Sequence, residues 1–155
     1  MIQRIQSVWL LLACLVFVAM FFLPVVSQQV NGVTHHFYTI GISSLTEGAA
    51  GSGQKVSVSV GLIVLNIVLT LLCLVNIFRF RNRRIQKRVC IATIFLSFVF
   101  VGWCAVEAQN LPGGLEGAAY GPGAFCPAIA VLLNILAIRG INKDEKLIRS
   151  ADRLR

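Results

Sequence analysis

Arg79-Phe80-Arg81-Asn82-Arg83-Arg84-Ile85-Gln86-Lys87-Arg88 holds six cations and no acid, and it lies between two long apolar segments. Basic charge resists translocation across a bilayer, so a short loop rich in Lys and Arg stays on the cytoplasmic side. The six cations, Arg79, Arg81, Arg83, Arg84, Lys87 and Arg88, therefore set the orientation of what precedes and follows them. Anionic lipid on the cytoplasmic face is their natural counter-charge.

The composition agrees with a membrane setting. Of 155 residues 57% are hydrophobic and 13% charged, and the mean hydropathy is +0.81, too little polar surface for a soluble domain. The net charge of +8 does not point to nucleic acid. Thirteen of the 14 basic residues are Arg4, the 79–88 cations and those from Arg139 onward, each group flanking an apolar span.

Four spans follow, at about 8–26, 58–78, 89–108 and 122–138. The first run is long for a signal peptide, and Phe21, Phe22 and Leu23 crowd the cleavage position that Val25-Val26-Ser27 would offer. It reads as a transmembrane helix with Pro24 in its final turn. Pro122 and Pro127 open the fourth span, where missing amide donors are tolerated, and Pro127 is placed to kink it. The expected fold is an all-α bundle of four transmembrane helices over residues 1–141, with both termini cytoplasmic and a tail at 142–155.

The first half of the outward segment 27–56 alternates rather than repeating at helical spacing. Asn31-Gly32 between β-prone residues predicts a two-residue hairpin turn, and Gly48 to Gly53 reads as a linker. His35-His36 is a weak metal signal, because adjacent strand residues point to opposite faces. No cofactor or metal is implied. None of the five cysteines forms a C-x-x-C pair; Cys104 and Cys126 fall near the outer ends of neighbouring spans, where a disulfide could form. Glu107 ends the third span at the outer interface, where an acid is cheap.

In the second span Ser59, Asn66, Thr70 and Cys73 fall within an arc of ~60° at 100° per residue. An unpaired amide is costly in lipid, so this face should meet another helix, with Asn134 of the fourth span as a partner for Asn66. Asn76 falls outside the arc, nearer the inner end. These four polar residues, Asn66, Thr70, Asn76 and Asn134, read as interhelical contacts. In the tail, Leu147, Ile148, Ala151 and Leu154 recur at helical spacing opposite cations that include Arg149 and Arg153. Such a stripe suits a partner-binding surface.

The two halves echo one another. Arg4-Ile5-Gln6 precedes the first span as Arg84-Ile85-Gln86 precedes the third; Asn76-Ile77 and Arg81 have counterparts in Asn134-Ile135 and Arg139. The pattern suggests two parallel helical-hairpin repeats. Met1 to Gln6, the central Arg84-Ile85-Gln86 and the closing Lys143 to Arg155 resemble an uncharacterised family of four-span bacterial inner-membrane proteins, catalogued as a domain of unknown function. That resemblance implies four helices in a Gram-negative inner membrane and brings no activity or catalytic residue. Claudin-like four-span proteins are a poorer match, for want of their outer-loop Trp and paired Cys.

Three functional classes compete. An accessory or scaffold subunit, docking on other membrane subunits through its cytoplasmic surface, demands least. A small oligomeric transporter or channel is the second class; a coupled transporter commonly places an acid or base near mid-membrane and the four spans have none, which leaves a passive or lipid pathway open. A membrane enzyme needs clustered catalytic groups, yet His occurs only at 35 and 36 and no Asp precedes Asp144. The expectation is a non-enzymatic protein.

Overall fold

A computed structural model describes residues 3–30, 33–46, 56–79, 82–111 and 117–152. Among them lie four helices, α1 (Gln3–Ala19), α2 (Val60–Phe78), α3 (Arg83–Ala108) and α4 (Cys126–Asp152). Five strands join them: β1 (Val26–Val30), β2 (Val33–Tyr38), β3 (Gly41–Thr46), β4 (Val56–Val58) and β5 (Ala119–Tyr120). A single 3-10 turn, Pro122–Phe125, leads into α4.

The helices α2, α3 and the segment Pro122–Leu147 are each long and apolar enough to cross a membrane. The apolar part of α1, Ile5–Ala19, is shorter. The whole of α1, 17 residues, rises about 26 Å, against ~30 Å of hydrocarbon. The first apolar run was expected to be helical to Val26. It leaves the α-helix at Ala19 and winds through irregular turns, with Met20 N–H on Val16 O and Leu23 N–H on Ala19 O. Pro24 then ends it, because the residue before a proline is driven out of the helical region, and Val26 already belongs to β1.

The all-α expectation with a small hairpin is corrected to a mostly helical fold with a five-stranded antiparallel sheet, in the order β4-β3-β2-β1-β5. The β1–β2 register pairs Val30 with Val33, a two-residue connection. Its residues Asn31 and Gly32, like the linker at 48–53, fall outside the described set. Gly41 has φ of 151°, and a side chain there would meet Ser57 O at 1.9 Å, so only glycine lets β3 run this close to β4. The sheet caps one end of the helices. Phe37 of β2 is fully buried in the main core with Phe17, Met20 and Phe100, and Thr39 Oγ1 donates to Met20 O at 3.1 Å.

The helices pack in a ring, α1 on α2 and α4, α3 on α2 and α4. Their buried residues step by four and three, the spacing of interlocking coiled-coil seams. Gln6, Leu10, Ala13 and Phe17 of α1, with Met20 just after it, recur in α3 as Gln86, Cys90, Thr93, Ser97 and Phe100. Leu62, Asn66, Leu69, Cys73 and Asn76 of α2 recur in α4 as Ala130, Asn134, Ala137, Ile141 and Asp144. The buried positions thus align Leu65-Asn66-Ile67 with Leu133-Asn134-Ile135, rather than Asn76 with Asn134.

Other boundaries also move. The basic stretch is not all loop, since Arg83 begins α3. Residues 142–152 continue α4 without a break. Pro127 stands in the first turn of α4, where an amide N–H would have no intrahelical acceptor in any case. All five cysteines, Cys104 and Cys126 included, are buried free thiols.

Candidate functional site

At the end opposite the sheet, two pairs of polar side chains close the seams. Asn76 Nδ2 donates to Gln86 O at 3.3 Å and lies 3.1 Å from Cys90 Sγ. Gln86 Nε2 returns a bond to Asn76 O at 3.3 Å. This reciprocal clasp ties the end of α2 to the start of α3. Across the ring, Gln6 Nε2 of α1 donates to Asp144 Oδ2 of α4. All four side chains are buried. Gln6 corresponds to Gln86, and Asp144 to Asn76, so the two clasps, each joining one half to the other, occupy equivalent places.

A third tie lies outside them. Lys87 Nζ reaches Glu145 Oε2 at 2.7 Å and Asn142 Oδ1 at 3.2 Å, linking α3 to α4. Both charged side chains of that ion pair are about a quarter exposed, so it contributes on the order of 0–1 kcal/mol. The buried clasps matter more, because a donor stripped of its partner inside the bundle cannot turn to water.

Asn76, expected outside the polar arc, sits on the buried seam. Asn66 donates to Phe17 O of α1 at 3.2 Å. Its anticipated partner Asn134 instead bonds Ala130 O of its own helix at 2.9 Å and stands beside the Cys73 thiol. Thr70 Oγ1 likewise bonds within its helix, to Asn66 O at 2.8 Å. The structure therefore replaces a direct Asn66–Asn134 pair with separate backbone bonds. An amide that finds a carbonyl on its own or the adjacent helix need not reach across the ring.

Of the cations, Arg79, Arg84 and Arg88 are exposed and Arg83 and Lys87 half-buried, while Arg81 lies outside the described residues. Leu147 is 46% exposed on α4. Ile148, Arg149 and Ala151 continue the helical backbone, with side chains outside the described set, as are Arg153 and Leu154 altogether. On the sheet, Ser27 Oγ lies 3.0 Å from His36 Nδ1. Glu107 accepts from Trp103 Nε1 and Asn110 Nδ2, both at 3.3 Å, at the sheet end of α3.

Sequence reasoning missed Gln6, Gln86 and Asp144 as clasp residues. The repeated Arg-Ile-Gln was visible, but its meaning was not: the shared glutamine is the buried member. Asp144 carried a signal too, since it continues the four-three spacing from Asn134, Ala137 and Ile141.

The arrangement fastens four helices at one end and leaves cations and the continuation of α4, with Leu147 exposed on it, beyond the fastening. A comparison with curated proteins finds no match. Residues 2–154 match the profile of a domain family of unknown function, DUF4293, which covers nearly the whole chain, and the protein belongs to that family.

Proposed function

We propose that this is a non-enzymatic integral protein of a bacterial inner membrane, an accessory or scaffold subunit that docks on a larger membrane assembly through the extension of α4. In this reading all four helices span, the turns to Leu23 completing the short α1. The matched burial of the two halves reflects duplicated parallel hairpins. Both termini and the basic stretch face the cytoplasm, with anionic lipid against Arg79, Arg84 and Arg88.

One observation carries the proposal. Helix α4 does not stop where its apolar segment stops but continues to Asp152, with Leu147 exposed on it. The Gln6–Asp144 and Lys87–Glu145 contacts fix its base to α1 and α3, so the extension leaves the bundle in a set direction. Beyond that base the sequence mixes Leu, Ile and Ala with both signs of charge. Orientation in a membrane requires neither Asp152 nor the apolar stripe, whereas a helix seated in a protein groove uses both.

The cut that tests docking must fall after Lys146, since Asp144 and Glu145 belong to the bundle. Truncation there should preserve insertion and thermal stability yet remove the proteins that co-purify with the full chain in mild detergent. Retention of every such protein would count against docking. Orientation has a separate check. A reporter fused after Arg155 should be active only in the cytoplasm, and activity only in the outer compartment would reverse the topology.

A further inference from the structure

We propose that the recess between the sheet and the adjoining ends of α3 and α4 binds one hydrocarbon chain of a membrane lipid. This rests on the chain being a membrane protein and not on the docking of α4. The recess has a volume of about 340 Å³, and among the described residues no charged side chain lines it. It exists because two facing surfaces lack bulk: Ala105 and Ala108 on α3, and Gly123 and Ala124 in the turn before α4. The large side chains Phe125 and Tyr120 stand at its rim, 62% and 69% exposed.

The frame is built into the backbone. Gly121 N–H bonds Val25 O at 2.9 Å, and Gly123 N–H bonds Pro24 O at 3.0 Å. A side chain at Gly123 would lie 2.8 Å from both Leu23 O and Pro24 O, so glycine allows the turn to press against the start of the sheet. The recess is thus held open by hydrogen-bonded main chain.

Chemistry and size select the occupant. Water would find few polar partners on these walls, and an ordered water needs two to four. A partner helix is excluded by its width of ~10–12 Å, for which a space near the lower limit of ligand pockets has no room. A single flexible chain fits both the volume and the wall. The source is adjacent, because α3 and the Pro122–Leu147 segment are long and apolar enough to cross the membrane and the recess lies between them. The headgroup would stay outside, at the level of Tyr120 and the sheet.

A fatty acid carrying a diazirine at mid-chain, incorporated into phosphatidylethanolamine–phosphatidylglycerol vesicles with the full-length protein, tests this. After photolysis, label should appear on Ala108, which is buried and beyond the reach of lipid that merely surrounds the helices. The exposed α3 residues Phe95 and Phe98 report that surrounding lipid. Ala105→Phe, which fills the recess, should reduce labelling at Ala108 at least about tenfold and leave Phe95 and Phe98 unchanged. Phe125→Ala, which widens the mouth, should preserve or raise labelling at Ala108. Should Ala105→Phe fail to fold, Ala105→Leu is a smaller plug that carries the same test. Label on Phe95 and Phe98 with none on Ala108 would overturn the proposal. So would labelling of Ala108 that a folded, filled variant does not diminish.

Discussion

Phe37→Ala will destabilise the protein by about 3–5 kcal/mol, the usual loss when a buried aromatic side chain leaves a cavity. Phe37 is the residue by which the sheet enters the helical core: it is fully buried, and it packs in the cluster that holds Phe17, Met20 and Phe100. Its carbonyl also accepts from Val25 N–H at 2.7 Å, at the point where the chain turns from α1 into β1. Tyr38, the next residue on the strand, is only half-buried and should lose much less on truncation. The contrast is read by thermal unfolding in one detergent, following helix and sheet signals separately. In Phe37→Ala the sheet signal should melt well below that of the helices. Equal losses for Phe37→Ala and Tyr38→Ala would mean that the sheet rests on the bundle without being anchored in it.

That anchor shows where sequence reading reaches and where it stops. The β1–β2 hairpin was legible because Asn-Gly lies between residues that alternate at the period of a strand. Its neighbours were not. β4 is three residues long and β5 two, and neither carries a periodic signal of its own. They become strands only because β3 and β1 offer free edges, and such pairings are set by tertiary contact. The helices divide in the same way. Their apolar content located three helices long and apolar enough to cross a membrane to within a few residues at one end or both, while the end of α1 was misjudged because Pro24 and the sheet claim the end of its apolar run.

The polar seam failed for a geometric reason. At 100° per residue, ten residues carry Asn76 about 80° away from Asn66, and the reading excluded it. Packed helices follow a repeat nearer 3.5 residues per turn, on which the displacement falls to about 50° and Asn76 joins the seam. Asp144 was hidden differently. Lys143, Glu145 and Lys146 surround it, so local composition describes a solvated tail, and only the four-three spacing from Asn134 marks it as inward. The basic stretch was informative about charge but not about structure, because four of its six cations lie on α3.

The clasp at that end yields the second large effect, and single and double substitutions should separate sharply. Gln6→Leu leaves the Asp144 carboxylate buried without the amide that donates to it, at an expected loss of about 3–5 kcal/mol. Asp144→Leu leaves a neutral amide unpaired instead, and should lose about 1–3 kcal/mol. The double variant Gln6→Leu/Asp144→Leu removes both polar groups and offers two apolar side chains to each other, so it should lie closer to the native protein than either single change. Asp144→Asn retains an acceptor for Gln6, removes the charge and reproduces the residue type that Asn76 supplies in the other half; it should be neutral or stabilising. Unfolding in mild detergent over this cycle measures the coupling. Losses that simply add in the double variant would show that Gln6 and Asp144 are not partners. A coupled pair has a consequence for docking as well, because the base of the α4 extension is held to α1 by this contact. Gln6→Leu should then weaken partner retention although it lies on another helix, while the double variant, with its seam closed again by apolar contact, should recover it.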